Sequence, residues 1–87
     1  MSKENETLRW PTNLDRAAIV ARLIQVRESA KSNGLAELAA RFANVEAMPS
    51  KQIGVSVVAA LTWLQDQPQH RSITTQLEMV ALNLKNL

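Results

Sequence analysis

Residues 53–64 read IGVSVVAALTWL, and only Ser56 and Thr62 interrupt this run of apolar residues and glycine. A membrane-spanning helix needs about 20 apolar residues, so a run this short predicts a segment that protein covers on most of its faces. Ile53, Val55 and Val57 alternate as in a β-strand, but no other segment of the chain alternates far enough to pair with them. We therefore expect a helix over residues 51–65, at the centre of the fold or in a subunit interface.

The composition also favours helices. The chain has 87 residues with two glycines and three prolines, too few turn residues for an all-β domain of this size. Its segments LDRAAIVARLIQ and LAELAARFA are rich in strong helix formers. We expect an all-α fold: a flexible polar tail over residues 1–9, then a single domain over 10–87 that forms a compact bundle of about four helices.

Local signals place the ends of these helices. The four predicted helices span residues 14–32, 35–46, 51–65 and 72–86. Thr12 or Asn13 is expected to cap the first helix and Ser50 the third, because their side chains can accept hydrogen bonds from free backbone N–H groups. Asn33-Gly34 supplies the left-handed conformation that ends many helices.

The apolar residues of the last two helices exceed what three neighbours can readily cover. The fourth helix repeats apolar residues at steps of four, three, four and three, from Ile73 to Leu87, which is the spacing of a helix-pairing seam too short to stand alone. We therefore expect a homodimer or a complex with a partner protein. The expected buried or interface anchors are Leu61, Trp63, Leu77, Val80 and Leu84.

Arg27 is a further candidate for the interface. With Arg16 it falls inside the apolar arc of the first helix, where a long cationic side chain either extends to water or meets an acidic group. The acidic group could belong to a partner, or to Glu37, Glu46 or Glu78 of the chain itself.

No constellation of residues encodes a reaction. The formal net charge is +2 and there is no cysteine, so the composition indicates neither a disulfide framework nor a cysteine-based zinc site. His70 is the only histidine, and no glycine-rich phosphate loop or nucleophile motif occurs. We expect a non-enzymatic protein without cofactor or metal, located in the cytoplasm and not in a membrane.

The stretch GLAELAARFANVEAMPSKQIGVSVVAAL, which begins at Gly34, suggests a different role. It looks like a helix-turn-helix over residues 35–60, although its connection is long and its second helix offers few polar side chains. That resemblance implies DNA binding, with Arg41, Lys51 and Gln52 as the contacts. The sequence thus predicts a protein-interaction or regulatory module; the alternatives are a DNA-binding regulator and a small accessory subunit of a larger enzyme.

Overall fold

A computed structural model describes residues 11–87, which form four α-helices and no strand. The helices are α1 (Arg16–Ser32), α2 (Ala36–Arg41), α3 (Ser50–Leu64) and α4 (Arg71–Leu82), with short 3-10 turns at Val45–Ala47, Pro68–His70 and Leu84–Asn86. The expected all-α bundle of about four helices is confirmed. The predicted tail over residues 1–9 and Trp10 lie outside the described residues.

The three long helices bury stripes with the same spacing. Each stripe advances by four residues, then three, as expected for one face of a helix. The stripes are Ile19, Leu23, Val26 and Ala30 in α1; Ile53, Val57, Ala60 and Leu64 in α3; and Ile73, Leu77 and Val80 in α4. α4 packs between α1 and α3, and α2 packs mainly against α1. One side of α3 therefore has no helix against it within the described chain.

The start of α1 differs from the sequence prediction, and its end agrees. Asp15 caps the helix, because its Oδ1 accepts a hydrogen bond of 2.9 Å from the backbone N–H of Ala18. The assignment of the cap to Thr12 or Asn13 was therefore wrong. Gly34 has a φ of +74°, so it adopts the left-handed conformation that its position after the helix predicts.

α2 ends at Arg41, whereas the sequence pattern extended it to residue 46. The N–H groups of Phe42 and Ala43 donate to carbonyls only three residues back, so the helix tightens and stops. The following 3-10 turn still directs Val45 into the core beside Phe42. Apolar spacing alone could not distinguish this path from a continuous helix, because both bury the same side chains.

The cap predicted for α3 was also wrong. Ser50 is the first residue of the helix and does not cap it; Pro49 occupies the cap position without a side-chain hydrogen bond. The Ser50 hydroxyl instead accepts a hydrogen bond of 2.8 Å from Nη1 of Arg16. A residue of α1 therefore holds the start of α3.

Two asparagines join the ends of the described chain. Asn83 is fully buried; its Oδ1 accepts from the N–H of Leu14 at 2.9 Å, and its Nδ2 donates to the carbonyl of Pro11 at 2.8 Å. Asn86 donates to the carbonyl of Leu14 at 2.9 Å. These bonds satisfy backbone groups that no helix satisfies, and they fix the segment before α1 against the end of α4.

Candidate protein interaction surface

The side of α3 opposite its buried stripe is apolar and exposed. We define the outer face of α3 as Lys51, Gly54, Val55, Val58, Ala59 and Thr62. Val55 is 63% exposed and Val58 is 57% exposed, and together with Leu82 they are the large hydrophobic side chains that the described chain leaves exposed. No charged residue occurs between Lys51 and Asp66. An ordinary surface helix carries polar or charged residues on this side.

A shallow groove runs along this face. Its lining is apolar apart from Lys51 and includes Gly54, Val55 and Val58 of α3, with Leu84 from the turn after α4. The groove thus joins the outer face of α3 to the neighbouring end of the bundle. It is wide and open, as a surface suited to another protein segment would be, and it does not enclose a small molecule.

Nothing in the described part of the chain, residues 11–87, requires a glycine at position 54. Gly54 does not adopt positive φ, and a Cβ atom built on it meets nothing within 4 Å. A glycine inside a helix lowers stability by about 1 kcal/mol relative to alanine, and valine is also a weaker helix former than alanine. The outer face therefore carries residues at positions 54, 55 and 58 that weaken the helix without compensating contacts inside the described chain.

The charges at the two ends of α3 oppose the helix dipole. Lys51 lies in the first turn, where a helix favours negative charge, and Asp66 follows the last turn, where it favours positive charge. In α1, Asp15 caps the start and Lys31 lies in the last turn, both favourable to the dipole, while Arg16 is the first helical residue. Lys51 and Asp66 are both exposed, and neither forms an ion pair with another described residue.

The residues expected from sequence as anchors divide into two groups. Leu77 and Val80 are fully buried in the chain's own core. Leu61, Trp63 and Leu84 are partly buried and pack against that core, so part of each side chain remains at the surface. Sequence reasoning missed Val55 and Val58, although their spacing of three residues, opposite the stripe of Ile53 and Val57, was available as a signal.

Arg27 has internal partners. Its Nη1 donates to the carbonyls of Phe42 and Ala43 at 3.2 and 3.1 Å and to Glu46 Oε1 at 3.3 Å. The hydrogen bond that Arg27 donates to the Glu46 carboxylate raises the pKa of Arg27. The pKa of Glu46 is lowered, first by its own backbone N–H and then by Arg27. Of the acidic partners considered for Arg27, the structure selects Glu46, and the membership of Arg27 in an interface stays a prediction.

Arg16 makes the corresponding contacts nearer the start of α1. Besides its bond to Ser50, its Nη2 donates to the carbonyl of Met48. The two arginines together hold the connection between α2 and α3 at both ends. Their cationic groups satisfy backbone carbonyls in a segment that leaves helical geometry.

The three residues considered for DNA contact are all exposed: Arg41 at the end of α2, and Lys51 and Gln52 in the first turn of α3. Beyond them, the outer face of α3 presents Val55 and Val58. A helix that reads base edges needs polar donors and acceptors along the surface that enters the groove. The outer face provides these only at its beginning.

Comparison with known proteins gives this chain no relative: no family model, curated protein or solved structure matches it. Within residues 11–87, no helix combines the length and the hydropathy that crossing a membrane requires. The same residues contain no group of three or more His, Cys, Asp or Glu side chains placed to hold a metal ion.

Proposed function

We propose that this protein is a small non-enzymatic, cytoplasmic interaction module that docks onto another polypeptide through the outer face of α3. The observation that carries the proposal is the exposure of Val55 and Val58 at the middle of a helix face whose one charged residue, Lys51, lies at its end. Contiguous apolar surface rimmed by polar residues is typical of protein interaction sites.

The free energy of docking would come mainly from this apolar surface. Full burial of an exposed valine contributes about 1.5 to 3 kcal/mol, so covering the exposed parts of Val55 and Val58 contributes about 2 to 4 kcal/mol together. The exposed parts of Leu61, Trp63 and Leu84 extend the apolar area. Exposed polar residues at both ends of α3 would form the rim that interfaces commonly have.

Protein docking fits the outer face better than DNA binding does. Phosphate contacts require several lysines or arginines, and this face provides Lys51 alone. A protein partner can cover the exposed Val55 and Val58 with its own apolar side chains. The missing side chain of Gly54 allows such a partner to approach the helix closely. A larger enzyme chain is one possible partner, and the accessory-subunit alternative would use the same face.

Site-specific photocrosslinking tests this proposal. A photoreactive amino acid at position 58, in the full chain added to an extract of its source cells, should form adducts with a discrete protein. The same amino acid at Gln25, which is exposed on the outer side of α1, is the matched control. Excess wild-type protein should compete for the adduct, and the Val55→Glu, Val58→Glu double variant should not.

Absence of any adduct at position 58, or an adduct that both competitors suppress equally, would contradict docking through this face. An adduct with the protein's own copy and an adduct with a different protein both agree with it. The choice between those two partners is a separate question.

A further inference from the structure

We infer that the occupant of the outer face is a second copy of this chain, whose α3 lies antiparallel to the first. This inference rests on the proposed function and adds the identity and orientation of the partner. It is carried by the charges at the two ends of α3 and by Gly54, which the fold of a single chain does not explain.

The charge pattern is self-complementary in the antiparallel orientation. Lys51 and Asp66 are 15 residues apart; the helix from Lys51 to Leu64 is about 20 Å long, and Asp66 lies in the turn just beyond it. When two copies of α3 cross about a two-fold axis between Val58 and Ala59, Lys51 of each copy lies opposite Asp66 of the other. Two ion pairs form by symmetry, one at each end of the pair.

The same orientation reverses both unfavourable dipole interactions. In a single chain, Lys51 lies near the positive end of α3 and Asp66 near its negative end. The second helix places its negative end beside Lys51 and its positive end beside Asp66. A parallel arrangement would instead place lysine beside lysine and aspartate beside aspartate.

The outer face also has the shape that close helix packing needs. Helix axes in contact lie about 8 to 10 Å apart, and small residues permit the shorter distances. Gly54 and Ala59 flank Val58 on either side of the helix face, and the space beside Gly54 is open. Val58 of each copy would lie near the two-fold axis, where the interface is most fully desolvated.

The first test is the oligomeric state of the purified full chain, measured by sedimentation velocity between about 1 and 200 µM. We expect a concentration-dependent dimer. Val58→Glu should be monomeric across this range with an unchanged helical circular dichroism spectrum. Ala21→Glu places the same charge on the exposed side of α1 and should dimerise like the wild type.

Charge reversal tests the orientation. Lys51→Glu and Asp66→Lys should each weaken the dimer about tenfold, because each replaces two attractive surface pairs by two repulsive ones. The double variant Lys51→Glu, Asp66→Lys restores opposite charges in the antiparallel pair and should recover the dimer to within about threefold. High salt should reduce the differences between these variants.

Gly54→Ala is an independent test, because it should raise the stability of the monomer and weaken the dimer. The added methyl group meets nothing inside the described chain, so the dilute monomer should gain thermal stability. The same methyl group should hold two copies of α3 further apart and raise the dissociation constant of the dimer several-fold. An alanine that stabilises the fold and leaves assembly unchanged would contradict close approach at this position.

A wild-type chain that stays monomeric at 200 µM, or a Val58→Glu variant that still dimerises, would overturn the inference. So would a double charge variant that remains as weak as either single variant. If the chain is monomeric but position 58 crosslinks to a different protein, the second copy is excluded and the proposed function survives. If position 58 crosslinks to nothing, both fail.

Discussion

α1 and α3 bury apolar residues at the same spacing, but the surface of α1 that faces solvent is polar and that of α3 is largely apolar. Their inner stripes, from Ile19 to Ala30 and from Ile53 to Leu64, advance by four, three and four residues and are almost completely buried. The outer positions of α1 carry alanine, glutamine, serine and charged residues, whereas those of α3 carry glycine, valine, alanine and threonine, with Lys51 as the one charged residue. The inner pattern specifies how a helix packs in its own chain, and the outer pattern indicates whether it has a further partner.

The largest expected effect comes from placing one charge on either side of α3. Val57→Asp buries a carboxylate in the core and should lower the free energy of unfolding by about 4 kcal/mol or more, most of the total for a domain of this size. Val58→Asp, one residue further on the exposed side, should change it by less than about 1 kcal/mol. Urea unfolding at 1 µM measures both; equal losses would mean that the two faces do not differ as described.

The inner stripes of the two helices should prove equivalent. Leu23 in α1 and Ile53 in α3 are both fully buried. Each replaced by alanine should lower the free energy of unfolding by about 2 to 5 kcal/mol, through lost burial and the cavity left behind. A loss below 1 kcal/mol for Ile53→Ala alone would show that α3 contributes less to the core than its burial indicates.

The outer faces should differ in helix propensity by a smaller amount. Val55→Ala should raise the stability of the dilute monomer by about 0.5 kcal/mol, because an exposed valine loses side-chain freedom in a helix and gains no contact. The reciprocal change on α1, Ala21→Val, should lower it by a similar amount. Thermal unfolding at 1 µM measures both, and a loss of stability in Val55→Ala would reveal a contact of Val55 within the chain.

The smallest expected effect concerns the polar contacts that α1 makes with the α2–α3 connection. The lowered pKa of Glu46 means that its carboxylate stabilises the fold above the ordinary carboxyl range. This contribution should decline as the pH falls through that range and vanish below the lowered pKa. The stability difference between wild type and Glu46→Gln should therefore shrink on acidification.

Glu37→Gln is the matched control for this pH series. Glu37 is exposed and forms no ion pair with another described residue. The decline that Glu46→Gln shows beyond that of Glu37→Gln at each pH is assigned to the contacts of Glu46. A difference for Glu46→Gln that grows on acidification would contradict the direction of the shift.

The sequence predicted the parts of the fold that depend on local periodicity. The apolar spacing identified α1, α3 and α4, and Asn33-Gly34 identified the end of α1. The early end of α2 could not be predicted in the same way. The carbonyls released at Phe42 and Ala43 bond to Arg27, and a contact across 15 residues leaves no periodic signal.

The sequence predicted association through apolar surface, which stays a prediction, and its choice of anchors did not include the exposed valines of α3. The excess of apolar residues over the available neighbours indicated association, but apart from Leu61 and Trp63 the anchors were chosen from the apolar seam of the fourth helix. Two of these, Leu77 and Val80, fill the core, because large aliphatic residues are the first to be buried in a small domain. The exposed positions carry Val55 and Val58, whose exposure becomes visible only once the packing of α3 against α4 is known.

The asparagine contacts between Pro11 or Leu14 and the end of α4 bear on how the chain folds. They join residues 69 to 72 positions apart, whereas α1 and α2 form one local helical hairpin and α3 and α4 another. Closing a long loop costs more conformational entropy than closing a short one, so contacts between distant residues form more slowly. The two hairpins are therefore expected to form first. Protection of the Leu14 amide proton against hydrogen exchange should appear only when the two hairpins pack together.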